Sequence, residues 1–438
     1  MSWLRSRRAA TRPGAAADPV RAVAETAGFA GHLRGSSGYR RVLVGLAAAG
    51  VATFAQLYSV QGLLPQLAAD FNVSAATAAL SVSAATLGLA VAVIPWSAAA
   101  DRFGRLPAMR TAIITAVILG LVVPLSPDFS VLLALRFAEG AALGGIPAVA
   151  LAYLSEEVSP VHAAVAAGTY VSGTTVGGLA GRILAAPVGE YSSWRIDVAA
   201  VSLLAAAAAV VFMLAAPRQR GHVPQRRADG GTTLAVRLTV NLRSGRQLVL
   251  YAQAFLLMGG FVAVYNYLGF RLELAPFNLP QSLASSLFLA YLAGTWSSRF
   301  AGKASGWARG GRRTVLLACT AVMAGGLALT LLQSLPAVIA GLVIFTAGFF
   351  GAHAVASGWV PVLAPAGRAQ ASSLYNLAYY TGSSLVGWAA GLFFQSAGWN
   401  GLAGFVLCLM GIAAALAATL PGRLKQTAGT AAGRRLEA

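Results

Sequence analysis

The chain has 438 residues, of which 57% are hydrophobic and 10% are charged, and its mean hydropathy is +0.70. A soluble domain of this length could not bury so much apolar surface in one core, so the composition excludes a soluble globular protein and indicates a polytopic membrane protein. The two cysteines lie in apolar runs and the four histidines are scattered, so we expect no disulfide framework, no metal site and no cofactor.

Twelve apolar runs follow one another along the chain, and each is about long enough to cross a bilayer as a helix. They lie at residues 42–67, 74–98, 107–125, 130–154, 163–187, 196–216, 247–270, 281–301, 314–333, 336–360, 371–394 and 399–420. The sequence therefore predicts an all-α membrane protein with twelve transmembrane helices.

Polar, basic segments flank the runs and separate the sixth from the seventh. The first segment has no apolar core, so it is not a signal peptide; we predict a mostly disordered tail with a short surface helix near Val20–Leu33. The predicted organisation is a cytoplasmic tail at 1–41, a six-helix bundle at 42–216, a cytoplasmic linker at 217–246, a second six-helix bundle at 247–420 and a cytoplasmic tail at 421–438.

The distribution of positive charge predicts the orientation of the chain. With the N-terminus in the cytoplasm and the sides alternating, 28 of the 32 lysines and arginines fall in cytoplasmic segments, and the opposite face keeps only Arg195 and Arg271. We therefore expect both termini inside. The net charge of +19 then determines topology and contacts lipid headgroups, and we do not expect nucleic-acid binding.

Between the second and third runs, Asp101, Arg102, Gly104 and Arg105 form a short polar turn. Asp101 can accept hydrogen bonds from helix N-termini, Gly104 permits a left-handed turn, and the arginines can stay with lipid phosphates. The passage resembles the cytoplasmic signature Gly-x-Leu-Ala-Asp-Arg-x-Gly-Arg of the major facilitator superfamily, with Ser and Ala in place of its first Gly and Leu.

The resemblance covers about residues 42–420 and implies a monomeric transporter of small molecules in the bacterial cytoplasmic (inner) membrane. It also implies two pseudo-symmetric six-helix bundles, and an internal repeat agrees with this, since Phe71-Asn-Val-Ser74 matches Phe277-Asn-Leu-Pro280 after 206 residues. The turn at 97–107 would then be a switch loop that stabilises one arrangement of the two halves.

The fourth run contains two charges, which are costly enough inside a membrane to need a reason. Arg136 and Glu139 lie three residues apart on one helical face, so they can pair or share a proton. They resemble the superfamily's fourth-helix signature Arg-x-x-x-Gly, which in proton-driven drug antiporters is linked to proton coupling. The matching positions of the second half are uncharged, so the fold alone does not demand these charges. Glu139 is either a coupling carboxylate or a permanent partner of Arg136 or Arg182.

The fifth run carries Gly173, Gly177 and Gly178, followed by Arg182. It resembles the antiporter signature Gly-x-x-x-Gly-Pro-x-x-Gly-Gly, without the proline. Glycines at this spacing let helices approach closely or rock against each other. Arg182 joins Arg136 and Glu139 as a proton-coupling candidate. His353 in the tenth run is a fourth, because an imidazole titrates near neutral pH, although it can also simply bond a neighbouring serine.

Aromatic and amide side chains in the first, seventh and eleventh runs are candidates for a substrate cavity. They would suit an amphipathic or weakly cationic substrate through stacking and adaptable hydrogen bonds, and the alternative is ordinary packing between helices. These candidates are Gln56, Tyr58, Gln61, Tyr265, Asn266, Tyr375, Asn376 and Tyr379.

Passages in the seventh, tenth and eleventh runs, such as Tyr265 to Arg271 and Phe349 to Ser357, resemble the acriflavin-sensitivity-type branch of drug/proton antiporters, often labelled arabinose or drug efflux. The resemblance implies proton-coupled efflux of a small amphipathic drug-like compound or metabolite by alternating access. An uncoupled sugar or metabolite facilitator and a non-transporting receptor are the alternatives. We do not expect an enzyme, because no nucleophile, base and orienting group recur at usable spacing.

Overall fold

The computed structural model describes residues 29–183, 193–220 and 233–422, and within these ranges the chain is helical apart from short connections. The first helices are α1 (Ser37–Leu57), α2 (Leu64–Asp70), α3 (Ala75–Phe103), α4 (Arg105–Val122), α5 (Phe129–Leu143), α6 (Gly145–Glu157), α7 (Pro160–Ile183) and α8 (Trp194–Ala215). The remaining helices are α9 (Leu234–Leu242), α10 (Gly245–Leu272), α11 (Gln281–Ser286), α12 (Tyr291–Trp307), α13 (Gly311–Leu329), α14 (Leu335–Leu363) and α15 (Arg368–Ala418).

Within the described ranges, nine helical segments are long and apolar enough to cross a membrane. The last of them, α15, is two spans joined at a kink, because Ala397 and Gly398 have non-helical backbone angles. The less apolar α7 and the α11–α12 segment complete the set of twelve. The predicted all-α fold with twelve membrane helices is therefore confirmed.

The structure changes the predicted boundaries near the N-terminus. Helix α1 begins at Ser37, because the Ser36 hydroxyl accepts the Tyr39 N–H at 3.1 Å and so caps the helix. The end of the predicted disordered tail at 1–41 is therefore helical, and the prediction was wrong there. Of the surface helix predicted near 20–33, residues 20–28 lie outside the described chain, and residues 29–33 are not helical, since His32 pairs with Val158.

The predicted linker at 217–246 also contains structure, because α9 forms within it. The Thr233 hydroxyl caps α9, and Asn241 at its end donates to the Ala366 carbonyl at 2.6 Å, which ties α9 to the start of α15. Residues 1–28, 221–232 and 423–438 of the predicted tails and linker lie outside the described chain. The proposed domain limits themselves remain a prediction.

The two halves use the same kind of close helix packing at related positions. Gly177 of α7 faces the backbone of Val51 in α1, and Gly382 of α15, 205 residues later, faces the backbone of Phe255 in α10. A Cβ atom at either glycine would clash with the facing backbone. The glycines therefore allow the helix axes to approach more closely than larger residues would permit.

The two halves are closed against each other at one face of the molecule and open at the other. We call the face at which α1 begins and α15 ends the terminal face, and the other the opposite face. At the opposite face Gln281 donates to the Gly62 carbonyl at 3.1 Å, and Gly391 lies against Ala76. Farther along the seam, Ser83 and Ser384 each donate to the other's carbonyl oxygen at 2.8 Å.

Candidate functional site

A cavity of about 630 Å³ opens between the halves at the terminal face. Its walls come from α3, α4 and α6 on one side and from α9 and α15 on the other. Asn376 and Tyr380 line it farther inside, while three arginines and one acid line it near the helix ends: Arg105, Arg237, Arg368 and Asp101. Of the eight residues predicted to line a substrate cavity, one, Asn376, lines this cavity.

The predicted switch loop ties several helix ends together beside the cavity. Gly104 has a φ of +99° and forms the turn between α3 and α4, which its lack of a side chain permits. Arg105 forms ion pairs with Asp101 and, at 3.1 Å, with Glu156 of α6. Arg102 is exposed and lies over the ring of Phe103, so it takes no part in this network.

Arg136 and Glu139 form a fully buried ion pair inside the first half, with an Nη1–Oε2 distance of 2.6 Å. Arg136 also donates to the carbonyls of Gln56 at 3.1 Å and Leu57 at 2.6 Å, and to that of Ser81 in α3 at 3.3 Å. Since α1 ends at Leu57, the guanidinium binds carbonyls of its last turn, and the Gln56 carbonyl also accepts the Ser59 N–H at 3.1 Å. The pair therefore lies at the point at which the first span is interrupted.

Gln56 belongs to the surroundings of this ion pair rather than to the cavity. Its side-chain amide donates to the Ala116 carbonyl of α4 at 3.2 Å and points toward Gly120. Glu139 and Ser202 also lie beside Gly120, since a Cβ atom there would be 3.0 Å from Glu139 Oε1 and 3.1 Å from the Ser202 hydroxyl. Gln56, Glu139 and Ser202 therefore surround Gly120 in the interior of the first half.

Arg182 lies away from the ion pair, at the seam between the halves. Its Nε donates to Gln61 at 2.7 Å and its Nη1 donates to the Gly178 carbonyl at 2.6 Å. Gln61 in turn donates to Asn266 of α10 at 2.8 Å. Three rings surround the guanidinium, with centroids 4.1 to 5.2 Å from it: Tyr58, Tyr291 and Phe288. Of the three charges that we expected to act together, only Arg182 contacts the second half.

The remaining candidates lie within the second half. The Tyr265 hydroxyl bonds Thr346 of α14 at 2.7 Å, and its ring stacks on Phe288. His353 contacts two predicted cavity residues, because its Nδ1 hydrogen bonds the Tyr375 hydroxyl at 3.0 Å and its ring lies 4.8 Å from that of Tyr379. The structure therefore joins His353, Tyr375 and Tyr379 in one cluster on α14 and α15.

The predicted rocking glycines divide between two faces of α7. Gly173 and Gly177, together with Gly181, pack against the backbone of α1, so they belong to a contact within the first half. Gly178 lies on another face and supplies the carbonyl that Arg182 binds. Within the described chain, no group of three histidine, cysteine or acidic residues could hold a metal ion.

Sequence reasoning missed several residues of this seam. Phe288 and Tyr291 were not selected because aromatic residues are common in membrane helices and nothing in the sequence places them against Arg182. Glu273, just beyond α10, lines a small gap beside Gln61 and Tyr265. Burial raises the pKa of Glu273 to about 7, and its Oε1 has no hydrogen-bond partner within the described residues. An acid directly after an apolar run is the signal that could have identified it.

Comparisons with known proteins agree with this architecture. The sequence profile of the Major Facilitator Superfamily matches residues 46–308. The chain is 39% identical to the inner membrane transport protein YnfM of Escherichia coli, over 89% of this chain and 93% of that protein. It is 34% identical to the MFS-type transporter YybF of Bacillus subtilis, over 90% and 96% of the two chains.

Solved structures share the fold at low sequence identity. An inward-facing bacterial homologue of the human lysosomal transporter Spinster matches with a TM-score of 0.70 and 17% identity, covering 87% of this chain and 97% of that one. The Escherichia coli xylose transporter XylE matches with a TM-score of 0.64 and 16% identity, over 87% and 97%. The chain is thus a membrane transporter rather than an enzyme, and it belongs to the major facilitator superfamily.

Proposed function

We propose that the chain exports small amphipathic organic compounds in exchange for protons, by alternating access, across the bacterial cytoplasmic membrane. The observation that carries the proposal is the buried Arg136–Glu139 pair, which lies where α1 is interrupted. Keeping a charge pair in the membrane interior costs desolvation energy, and the other half has uncharged residues at the repeat-related positions. Both observations favour a role for the pair beyond folding.

Alternating access follows from the cavity and the closed seam. The cavity opens at the terminal face, which the arginine distribution predicts to be cytoplasmic, so this arrangement would load substrate from the cytoplasm. Asp101 and Arg368 line the cavity from opposite halves. When the terminal face closes, the switch loop at 97–107 would meet the start of α15 and stabilise the outward-open arrangement.

Proton binding would act through the interruption of α1. Protonation of Glu139 removes the negative partner of Arg136, whose guanidinium then depends on the carbonyls of Gln56 and Leu57 for compensation. Tyr58 and Gln61 follow directly in the chain and contact Arg182 at the seam. A change at Glu139 thus has a continuous path of contacts to the surface where the two halves meet. His353, bonded to Tyr375, is the second proton-carrier candidate.

The test is flux into inverted membrane vesicles, with a panel of aromatic dyes of either charge and of sugars, with and without an imposed pH gradient. We expect substrate-triggered proton release in the wild type and none in Glu139→Gln. The matched control is Asp128→Asn, because Asp128 is an exposed acid that caps the same span through the Val131 N–H at 2.9 Å, and asparagine caps equally well.

Two results would contradict the proposal. Equal proton release in the wild type and in Glu139→Gln would remove Glu139 from the coupling. Flux that neither a pH gradient nor Glu139→Gln changes would instead identify an uncoupled sugar or metabolite facilitator.

A further inference from the structure

Arg182 has a different electrostatic environment from the other buried arginine, Arg136. Arg136 has Glu139 as its partner, whereas no acidic side chain within the described residues forms an ion pair with Arg182. Only 3% of Arg182 is exposed. A buried cation without a negative partner is costly, so a site that retains one is poised to receive a negative charge from elsewhere.

A hydrogen-bond donor beside Arg182 also lacks an acceptor. Arg182 itself uses its Nε and Nη1 atoms on Gln61 and Gly178. Asn266 accepts from Gln61 through its oxygen, but its buried Nδ2 has no acceptor in the same part of the structure. An oxyanion supplies acceptors for such donors, whereas an ammonium group supplies none.

We infer that the transported compound is an organic anion, an amphipathic carboxylate or a comparable oxyanion, whose charge binds Arg182 and whose apolar body packs on the rings of Tyr58, Phe288 and Tyr291. The inference rests on the proposed function in one respect, namely that the seam is the transport route. The rings provide apolar contact area around the guanidinium, at centroid distances of 4.1 to 5.2 Å. A cationic substrate would meet the same charge unfavourably.

The cavity that leads toward Arg182 also favours anions over cations. Asp101 and Glu156 pair with Arg105, and Arg368 adds a positive charge to the cavity lining, which favours the entry of anions over cations. Tyr380 lines the cavity, and the ring of Tyr58 lies against the Arg182 guanidinium at 4.1 Å.

The experiment measures equilibrium binding to the purified full-length protein in nanodiscs by calorimetry. The probes are three naphthalene compounds that carry a carboxylate, a hydroxymethyl or an aminomethyl group at the same ring position, so they differ mainly in charge. We expect the carboxylate to bind most tightly. In Arg182→Gln the carboxylate loses the cationic partner of its buried charge pair, so its affinity should fall roughly thirtyfold or more. In Arg182→Lys the positive charge remains, so the loss should be much smaller.

Two further variants separate recognition of charge from loss of folding. Arg243→Gln is the matched control, because Arg243 is exposed and does not line the cavity, and it should leave all three affinities unchanged. Asn266→Asp introduces a negative charge next to Gln61, which holds Arg182. It should weaken carboxylate binding and strengthen amine binding, a gain that misfolding cannot produce.

Equal affinity for the three compounds, a preference for the amine, or carboxylate binding that Arg182→Gln leaves unchanged would overturn the inference. These outcomes are distinct from a failure of proton coupling, because the measurement uses neither transport nor a pH gradient. If the carboxylate is preferred while proton release does not depend on Glu139, coupling fails and the anion site stands. The reverse pair of results removes the anion site and leaves the coupling intact.

Discussion

The two halves of the molecule share a fold but differ in what fills their interiors. The first half buries an ion pair, Arg136 with Glu139, whereas the repeat-related positions of the second half hold Leu342 and Phe345, and Phe345 stacks on Phe261 at 5.7 Å. Because stacked aromatic rings and aliphatic packing complete the second half, the architecture does not require charges at this depth. The comparison teaches that the shared fold alone does not account for the ion pair of the first half.

Removing one member of the ion pair should give the largest effect. Arg136→Leu leaves Glu139 buried without a partner and should lower the free energy of unfolding by about 3–5 kcal/mol. The double variant Arg136→Leu with Glu139→Leu imitates the second half and should recover most of that loss without recovering transport. Unfolding in detergent and vesicle flux measure the two properties. A double variant as unstable as the single one would show that the first half needs the charges to fold.

Enlarging a close-packed glycine should affect both halves alike. Gly177→Val and Gly382→Val each place side-chain atoms against a facing backbone, so each should lower the free energy of unfolding by about 1–3 kcal/mol. Gly168→Val is the control on the same helix as Gly177, because nothing lies near its Cβ position. Thermal unfolding measures the changes, and a loss confined to one half would contradict equivalent packing.

Glu273 distinguishes the halves at the opposite face, since the position 206 residues earlier holds Leu67. Burial raises its pKa from 4.5 to about 7, so the closed arrangement binds the proton more tightly than an arrangement in which Glu273 meets water. Tyr265 is the other titratable residue that lines the same gap. Low pH should therefore favour closure. As the pH rises from 4.5 to about 7, the equilibrium constant for closure should fall by at most about tenfold per pH unit.

Spin labels at Ala69→Cys and Leu274→Cys, both exposed at the opposite face, would report this opening as a change in the distance distribution. Glu273→Gln removes the titratable carboxylate and should remove the pH dependence between pH 5 and 7, which lies inside the window set by the two pKa values. Partial exposure of the carboxylate makes the measured slope smaller than the limit. A slope identical in both proteins would assign the titration to another group.

The smallest effect is expected at the switch loop. Arg105→Gln breaks two partly exposed ion pairs and should change the free energy of unfolding by less than about 1 kcal/mol. The repeat-related turn of the second half contains no acid, and Arg313 there donates to the Leu420 carbonyl at 3.2 Å. We therefore expect slower flux with nearly unchanged stability, measured in vesicles and by thermal unfolding. Arg102→Gln is the control, because Arg102 lies outside the ion-pair network.

The sequence predicted where the helices lie better than it predicted which side chains meet between helices. Apolar length placed the twelve spans, because crossing a bilayer demands a run of fixed length. The pairing of Arg136 with Glu139 also follows from sequence, since residues three apart share a helical face. Gln56 was misplaced because α1 is apolar or small on nearly all sides, so its periodicity does not tell which side meets the second half. The separation of Arg182 from Glu139 depends on how α7 packs against α1, which spacing within one helix does not contain.

The reciprocal hydrogen bonds between Ser83 and Ser384 have a consequence for how the molecule can move. Two short bonds of 2.8 Å between a pair of crossing helices survive a change of tilt but not a slide of several ångströms. If they persist through the cycle, this crossing acts as a fulcrum, and the halves exchange their open side by rotation about it. The width of either opening then scales with its distance from these two serines.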